Sequence, residues 1–563
     1  MEQLSGSDNL FLVQEDKNVY NHVASLTIYD VSTAPEGRVR YKDILGHFAD
    51  RMSIDPIFRR RLVTAPLGID RPYWVEESDV DLEFHVRHIA LPKPGDWRQL
   101  MIQVARLHSR PLDRSRPMWE AYLIEGLDNI PGLPPGSFAM FMKFHHASID
   151  GMAGIHLGTR MHSETPATSM AGTVSGTVYV DRDPSAVELA SRAVINGVNR
   201  VVTGGKLSAE IALKVAALGR GAVGDLLRVA RGDSASGNSS ILAMAAPKTR
   251  FNQAVSAHRV VDGFGMPLSR IKRVRAKAQG ATLNDIFLAV AGGAVRKYLL
   301  SKNELPERSL ACLMPMALSS DGSAGGNAVG AAAVKVRSDI ADPLARLKAV
   351  HKEAQVGKEQ AELLGPEMLK NLLDTLPSAV GSLIVNRVLI PTLNMTVSNV
   401  RGPERPLYMA GAKAMCYYPV SIPTDGVGLN ITGVSYNGVM WVSVVSCRRM
   451  LPDPAFFTAC MKDAWEEILA AADALPEILA PVPARSAGRT RATAATNKPV
   501  AARKTATDMA AIPAKPARAQ PRRAPANPVA DTGKPAAALP VAKKRTRAPA
   551  TATMTEGFEK KAG

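Results

Sequence analysis

Strand-like and helix-like hydrophobic patterns alternate in two separate blocks, from residue 1 to about 165 and again from about 250 to 475. Such alternation commits each block to a sheet with helices packed on it, because sheets and helices must cover each other's apolar faces. In the first block, Val23 to Tyr29 reads as a strand. Trp97 to Ser109 reads as a helix with Leu100, Ile102, Val104 and Leu107 among its apolar positions. The loop Pro131 to Gly136 then feeds Phe138 to Phe144, an apolar run of the length of one buried strand. In the second block, Thr282 to Leu300 reads as a helix with Leu283, Ile286, Phe287 and Val290 on one face. Ile431 to Tyr436 and Val439 to Val445 flank Asn437-Gly438, a pair that tolerates the positive φ of a two-residue hairpin turn. Asp453-Pro454 is expected to cap and start a last helix reaching about Ala472.

Charge separates these blocks from the rest. The chain of 563 residues carries a formal +17, but 17 Lys and Arg against 4 Asp and Glu fall after residue 480 and leave only +4 for the body. That tail holds 24 Ala and 11 Pro with a single aromatic, Phe558, too little apolar surface to offset its chain entropy. The linker from residue 164 is rich in Ser, Thr, Ala and Gly. It gives way to Val187–Gly232, where Arg192, Arg200, Lys206, Lys214, Arg220, Arg228 and Arg231 punctuate small apolar residues. These read as basic amphipathic helices, either packed on the core or lying on an anionic membrane surface. The expected fold is therefore mixed α/β. It has an N-terminal subdomain over 1–165, a helical linker over 166–250, a C-terminal subdomain over 251–475 and a disordered basic tail over 476–563.

The acidic start (Glu2, Asp8, Glu15, Asp16) argues against a secretory signal, and no run of roughly 18 apolar residues suggests a membrane span. Cys312, Cys416, Cys447 and Cys460 are widely spaced and read as reduced thiols, with neither a disulfide frame nor a zinc site.

The chemistry concentrates in Phe144-His145-His146-Ala147-Ser148-Ile149-Asp150-Gly151. Adjacent histidines at a strand end point to opposite faces, so they are ill placed to chelate one metal, and no metal is expected. One ring can face a cleft while the other packs inward. Asp150 reads as an ion-paired turn-former, with Gly151 making a tight turn after it. On the residues alone, a purely structural histidine pair remains open.

The string HHASIDG resembles the HHxxxDG signature of the chloramphenicol acetyltransferase-like superfamily of CoA-dependent acyltransferases and condensation domains. Pro111-Leu-Asp-Arg-Ser-Arg-Pro-Met-Trp-Glu120 is similar to the PLDRSRPLWE segment of the bacterial wax ester synthase/diacylglycerol acyltransferase family, with Met118 in place of Leu. Tyr73-Trp74, His85-Val86-Arg87, Leu91-Pro92 and Pro94-Gly95 follow the order of that family, as do Asn284-Asp285. Ser398-Asn399-Val400-Arg401-Gly402-Pro403 resembles its SNVPGP segment, with Arg401 in place of Pro. The likeness runs from about residue 5 to 472 and omits the tail.

The resemblance implies two chloramphenicol acetyltransferase-like αβ subdomains and an O-acyltransferase with His146 as general base. His145 would support it, Asp150 and Gly151 would shape the loop, with an unidentified arginine as the partner of Asp150, and Asn284 would polarise the acyl carbonyl or merely cap its helix. Pro117, Met118 and Trp119 would wall a substrate tunnel. Acyl-CoA would serve as co-substrate with no permanently bound cofactor, its contact residues unknown. The acceptor would be diacylglycerol, a long-chain alcohol or both, giving triacylglycerol and wax ester. The implied setting is cytoplasmic, peripherally attached to the inner membrane or lipid inclusions. The tail lies outside the resemblance; its charge reads as a passive solvated segment or as a tether to anionic lipid or nucleic acid, and nucleic acid is a partner only through it. The alternatives are a non-catalytic lipid-droplet or membrane tether, or a sibling acyltransferase acting on another lipid or polyketide alcohol.

Overall fold

A computed structural model describes residues 1–167, 181–200, 245–278, 280–317, 329–364, 374–375 and 378–475. The expected basic tail lies outside the described residues, as do Lys206, Lys214, Arg220, Arg228 and Arg231 of the linker.

The first sheet is built around the strand Phe138–His145, buried along its whole length. Alternation sends Ala139 and Phe141 toward the helix Trp97–His108, and Phe138, Met140, Met142 and Phe144 into a second cluster with Trp119. His22–Asp30 and Trp119–Glu125 flank it antiparallel, and Val86–Ala90 closes one edge parallel to Trp119–Glu125. Three short strands from far down the chain complete the sheet: Tyr418–Val420 and Ala412–Ala414 pair with His22–Asp30, and Tyr408–Met409 pairs with Ala412–Ala414. The C-terminal half thus supplies part of the N-terminal sheet, and the two halves are interlocked.

The second sheet runs Val329–Lys335, Ala311–Ala317, Met395–Arg401, Leu429–Tyr436, Val439–Cys447, Arg259–Pro267. The expected hairpin forms, with Asn437 and Gly438 at φ 46° and 82°. Helix Leu283–Ser301 departs from a one-faced reading: every residue from Ile286 to Val295 is buried, between the sheet and the helices Pro343–Leu364 and Pro454–Asp473. Glycine makes that possible, since a Cβ on Gly292 would lie 2.0 Å from the Val336 carbonyl oxygen. Asp453 also departs from expectation. It precedes the last helix, but its carboxylate does not cap; it accepts from Tyr298 Oη and Lys302 Nζ, each at 2.6 Å.

Several imidazoles sit in or against these cores. His47 bonds the Met161 carbonyl oxygen and His162 lies between Tyr29 Oη and the Gly158 carbonyl. Burial pushes His47 and His108 down to about 3 and His162 down to about 4. These rings stay neutral when folded but protonate near pH 6.5 once unfolded, so the unfolded chain binds more protons below that pH. Stability then falls as the medium is acidified, by up to ~1.4 kcal/mol per pH unit for each ring. Thermal melts from pH 8 to pH 5 should show Tm steady above pH 7 and dropping steeply below 6.5. A level Tm across that range would show that the rings are not held neutral.

Candidate active site

His145 ends the strand Phe138–His145 and His146 follows at once, so the two rings enter different surroundings. The His145 N–H donates to the Met118 carbonyl at 3.0 Å, holding the strand end in the sheet. Its ring is 2% exposed, with Nε2 3.1 Å from Glu15 Oε1. His145 Nδ1 accepts the Ala147 N–H at 3.1 Å, which puts the ring proton on Nε2, directed at Glu15.

The His146 N–H donates to the Asn21 carbonyl at 2.8 Å, and its ring stacks on Phe11, centroids 4.1 Å apart and planes 12° apart. An edge of the residue stays accessible while protein surrounds the ring. Burial pushes its pKa down to about 4, against a weaker upward pull from a hydrogen bond to its own backbone and a smaller one from the Asp150 charge. His146 is therefore neutral at physiological pH, able to accept a proton.

Asp150 caps the helix Gly151–Arg160, its carboxylate accepting the Ala153 N–H at 2.6 Å. Among the described residues it pairs with no arginine. Gly151 is the first residue of that helix and makes no positive-φ turn. A Cβ there would meet Val400 Cγ2 at 3.6 Å, so the HHASIDG loop abuts the Ser398–Pro403 segment of the other sheet. Arg401 pairs with Glu404 at 2.6 Å on the surface, and the strand continues through it in register with Ser435.

Asn284 sits on the other side of that junction. Thr282 and Asp285 form the capping box of its helix, so Asn284 is not the cap; its Nδ2 donates to Met314 Sδ at 2.9 Å. The helix Gly151–Arg160 and the helix carrying Asn284 both pack on the strand Met395–Arg401. The residues expected to wall a tunnel are buried. Pro117 is buried, and Met118, 2% exposed, joins a small cluster with Leu4, Leu12, Leu112 and Ala147 under the histidine loop. Trp119 is 1% exposed, donates its indole N–H to the Phe58 carbonyl and stacks on His85.

Four residues of the site escaped sequence reading: Phe11, Glu15, Asn21 and Arg114. The first three belong to the N-terminal segment, which carries no motif. Arg114 lies within Pro111–Glu120, whose resemblance marks the segment but not the partner of any one residue. Arg114 pairs with Glu15 Oε2. Burial pushes the Glu15 carboxyl up, but the His145 ring, Arg114 and the Asn21 N–H outweigh it and hold Glu15 below the usual carboxylate range.

Comparison with known proteins gives this arrangement its place. The wax ester synthase/diacylglycerol acyltransferase catalytic domain matches residues 4–287, and the C-terminal domain of the same family matches residues 325–469. A probable diacylglycerol O-acyltransferase of Mycobacterium tuberculosis is 32% identical over 464 residues, covering 80% of this chain and 95% of the relative. An O-acyltransferase of Acinetobacter baylyi is 29% identical over 463 residues, covering 80% and 93%. Among solved structures, the wax ester synthase/diacylglycerol acyltransferase of Marinobacter aquaeolei superimposes with a TM-score of 0.57 at 28% identity, covering 84% of this chain and 100% of that one. The first condensation domain of a calcium-dependent antibiotic synthetase shares the fold, with a TM-score of 0.51 at 14% identity over 84% and 96% of the chains. The chain belongs to the wax ester synthase/diacylglycerol acyltransferase family.

Proposed function

We propose that this chain transfers a long-chain acyl group from acyl-CoA to the hydroxyl of a diacylglycerol or a long-chain alcohol, with His146 as general base. The observation that carries the proposal is a neutral imidazole at the end of the central strand, within the family's HHxxxDG string. The neutral ring takes the acceptor's hydroxyl proton as the oxygen attacks the thioester carbonyl. Collapse of the tetrahedral adduct breaks the C–S bond, and the imidazolium returns the proton to the departing CoA sulfur. The Asp150 charge favours that imidazolium while it exists. Ester and thiol form in equal amounts, and the ring ends as it began. Asn284 would polarise the acyl carbonyl from the first turn of the helix Leu283–Ser301.

The acceptor is tested by offering hexadecanol and a diacylglycerol together with palmitoyl-CoA. Wax ester, triacylglycerol or both are expected; exclusive use of a third acceptor would reject the substrate class.

The reading extends to work at a membrane or lipid-inclusion surface. No described helix is long and apolar enough to cross a membrane. The helix over residues 186–200 bares Val187, Val194, Ile195 and Val198 to solvent, and Leu67 is 99% exposed. Arg192 pairs with Glu188 and Arg200 with Asp70. Attachment would therefore rest on the apolar side chains. Serine at Val194, Ile195 and Val198 is expected to lower co-sedimentation with phosphatidylglycerol-containing vesicles several-fold; unchanged binding would remove this helix from the surface contact. For the tail, deletion of residues 481–563 tests attachment to the same vesicles and to nucleic acid.

A further inference from the structure

Glu15 touches both halves of the histidine pair through separate routes. Its Oε1 lies 3.1 Å from His145 Nε2 and accepts the Asn21 N–H at 2.6 Å. Through His145 the effect passes into the turn, because that ring's Nδ1 accepts the Ala147 N–H and its carbonyl accepts the Ser148 N–H at 2.9 Å. Through residue 21 it reaches His146 directly, since the Asn21 carbonyl accepts the His146 N–H at 2.8 Å. The same segment is tied back on itself: Asn21 Nδ2 donates to the carbonyl of Phe11, whose ring stacks on His146. Arg114 holds the other carboxylate oxygen and also donates to the Leu12 carbonyl at 3.1 Å, so the glutamate is clamped from outside.

We propose that Glu15 is the positioning residue of the histidine pair. Its carboxylate selects the Nε2–H form of His145 and fixes the two peptide groups that frame His146. A carboxylate suits this task because it only accepts hydrogen bonds, so it admits a protonated Nε2 and rejects the other tautomer. With Nδ1 protonated, His145 could not accept the Ala147 N–H. The turn would lose the bond that sets the direction in which His146 leaves the strand, and displacement of a catalytic group by about 1 Å can cost on the order of 10²-fold in rate. The proposal rests on His146 as the base.

Two measurements on the full-length protein decide it. In spectra of 15N-histidine-labelled wild type, His145 is expected to show protonated Nε2 and unprotonated Nδ1; a ring protonated at Nδ1 would overturn the proposal without any variant. Glu15→Ala is expected to lower kcat with palmitoyl-CoA and hexadecanol by roughly 10- to 100-fold, leaving KM for palmitoyl-CoA within about 2-fold and mixing the His145 tautomers. Glu15→Gln keeps an amide oxygen for the His145 and Asn21 donors but turns its NH2 toward Arg114, so it should keep the Nε2–H signature and lose less kcat than Glu15→Ala. Wild-type kcat in Glu15→Ala, or an unaltered His145 tautomer there, would overturn the proposal, as would a loss confined to thermal stability and KM. A His146→Ala control separates the two ideas. Full turnover in that variant would remove His146 as base, while the His145 spectra would still decide what Glu15 does.

Discussion

His146→Ala is expected to lower kcat for ester formation by roughly 10²- to 10⁴-fold, the usual worth of a positioned general base. The loss corresponds to ~2.7–5.5 kcal/mol of transition-state stabilisation. KM for acyl-CoA should change little, because the ring acts on the acceptor's proton. The fold should survive, since the hydrogen bond from the His146 backbone N–H to the Asn21 carbonyl is one that alanine retains. The pH profile adds a second mark. A ring pushed down to about 4 is deprotonated throughout the neutral range, so kcat/KM should be nearly level between pH 6 and pH 8. An acid limb centred near 6.5 in folded protein would mean that the ring titrates as if in water.

Glu120→Leu should be the most destabilising single change outside the site. Glu120 Oε2 lies 3.0 Å from Lys143 Nζ, which is wholly buried on the central strand, and Tyr122 Oη and Arg87 also donate to the carboxylate. Lys143 further donates to the carbonyls of Leu107 and Arg110. Burial pushes the Lys143 pKa down, and Glu120 opposes that shift. Removing Glu120 strands an ammonium in the core, which costs about 3–5 kcal/mol for pairs of this kind. Urea unfolding of the variant is the measurement. Lys143 should then shed its proton on folding, so the unfolded state binds more protons and the variant recovers stability as pH rises. Glu120→Leu with Lys143→Met should regain part of the loss. Additive losses in the double variant would show that the two groups do not act as a pair.

Much of the scaffold could be read from the chain because it is built from strong local signals. The strand His22–Asp30, the helix after Asp96 and the hairpin at Asn437-Gly438 each carry a period or a turn residue with one structural solution. The strand-terminal placement of His145 and His146 followed from the apolar run before them. What stayed hidden depends on distant partners. Strands of two or three residues, such as Tyr408–Met409 and Ala412–Ala414, have no period to detect, so their transfer to the first sheet left no trace. Asp453 was misread for the same reason: its partners, Tyr298 and Lys302, are remote in sequence. Glu15 looked like one acid among several in an acidic N-terminus. Only the fold brings it to a ring 130 positions away.

Direct transfer and an acyl-enzyme differ most plainly in when CoA leaves. With enzyme in excess over palmitoyl-CoA, thiol release is followed first without acceptor and then after hexadecanol or a diacylglycerol is added. Direct transfer assisted by His146 predicts no thiol until the acceptor arrives, then one thiol for each ester, with the triggered phase nearly abolished in His146→Ala. One thiol per enzyme before any acceptor, with the acyl group left on the protein, would contradict it, as would an equally fast triggered phase in the variant.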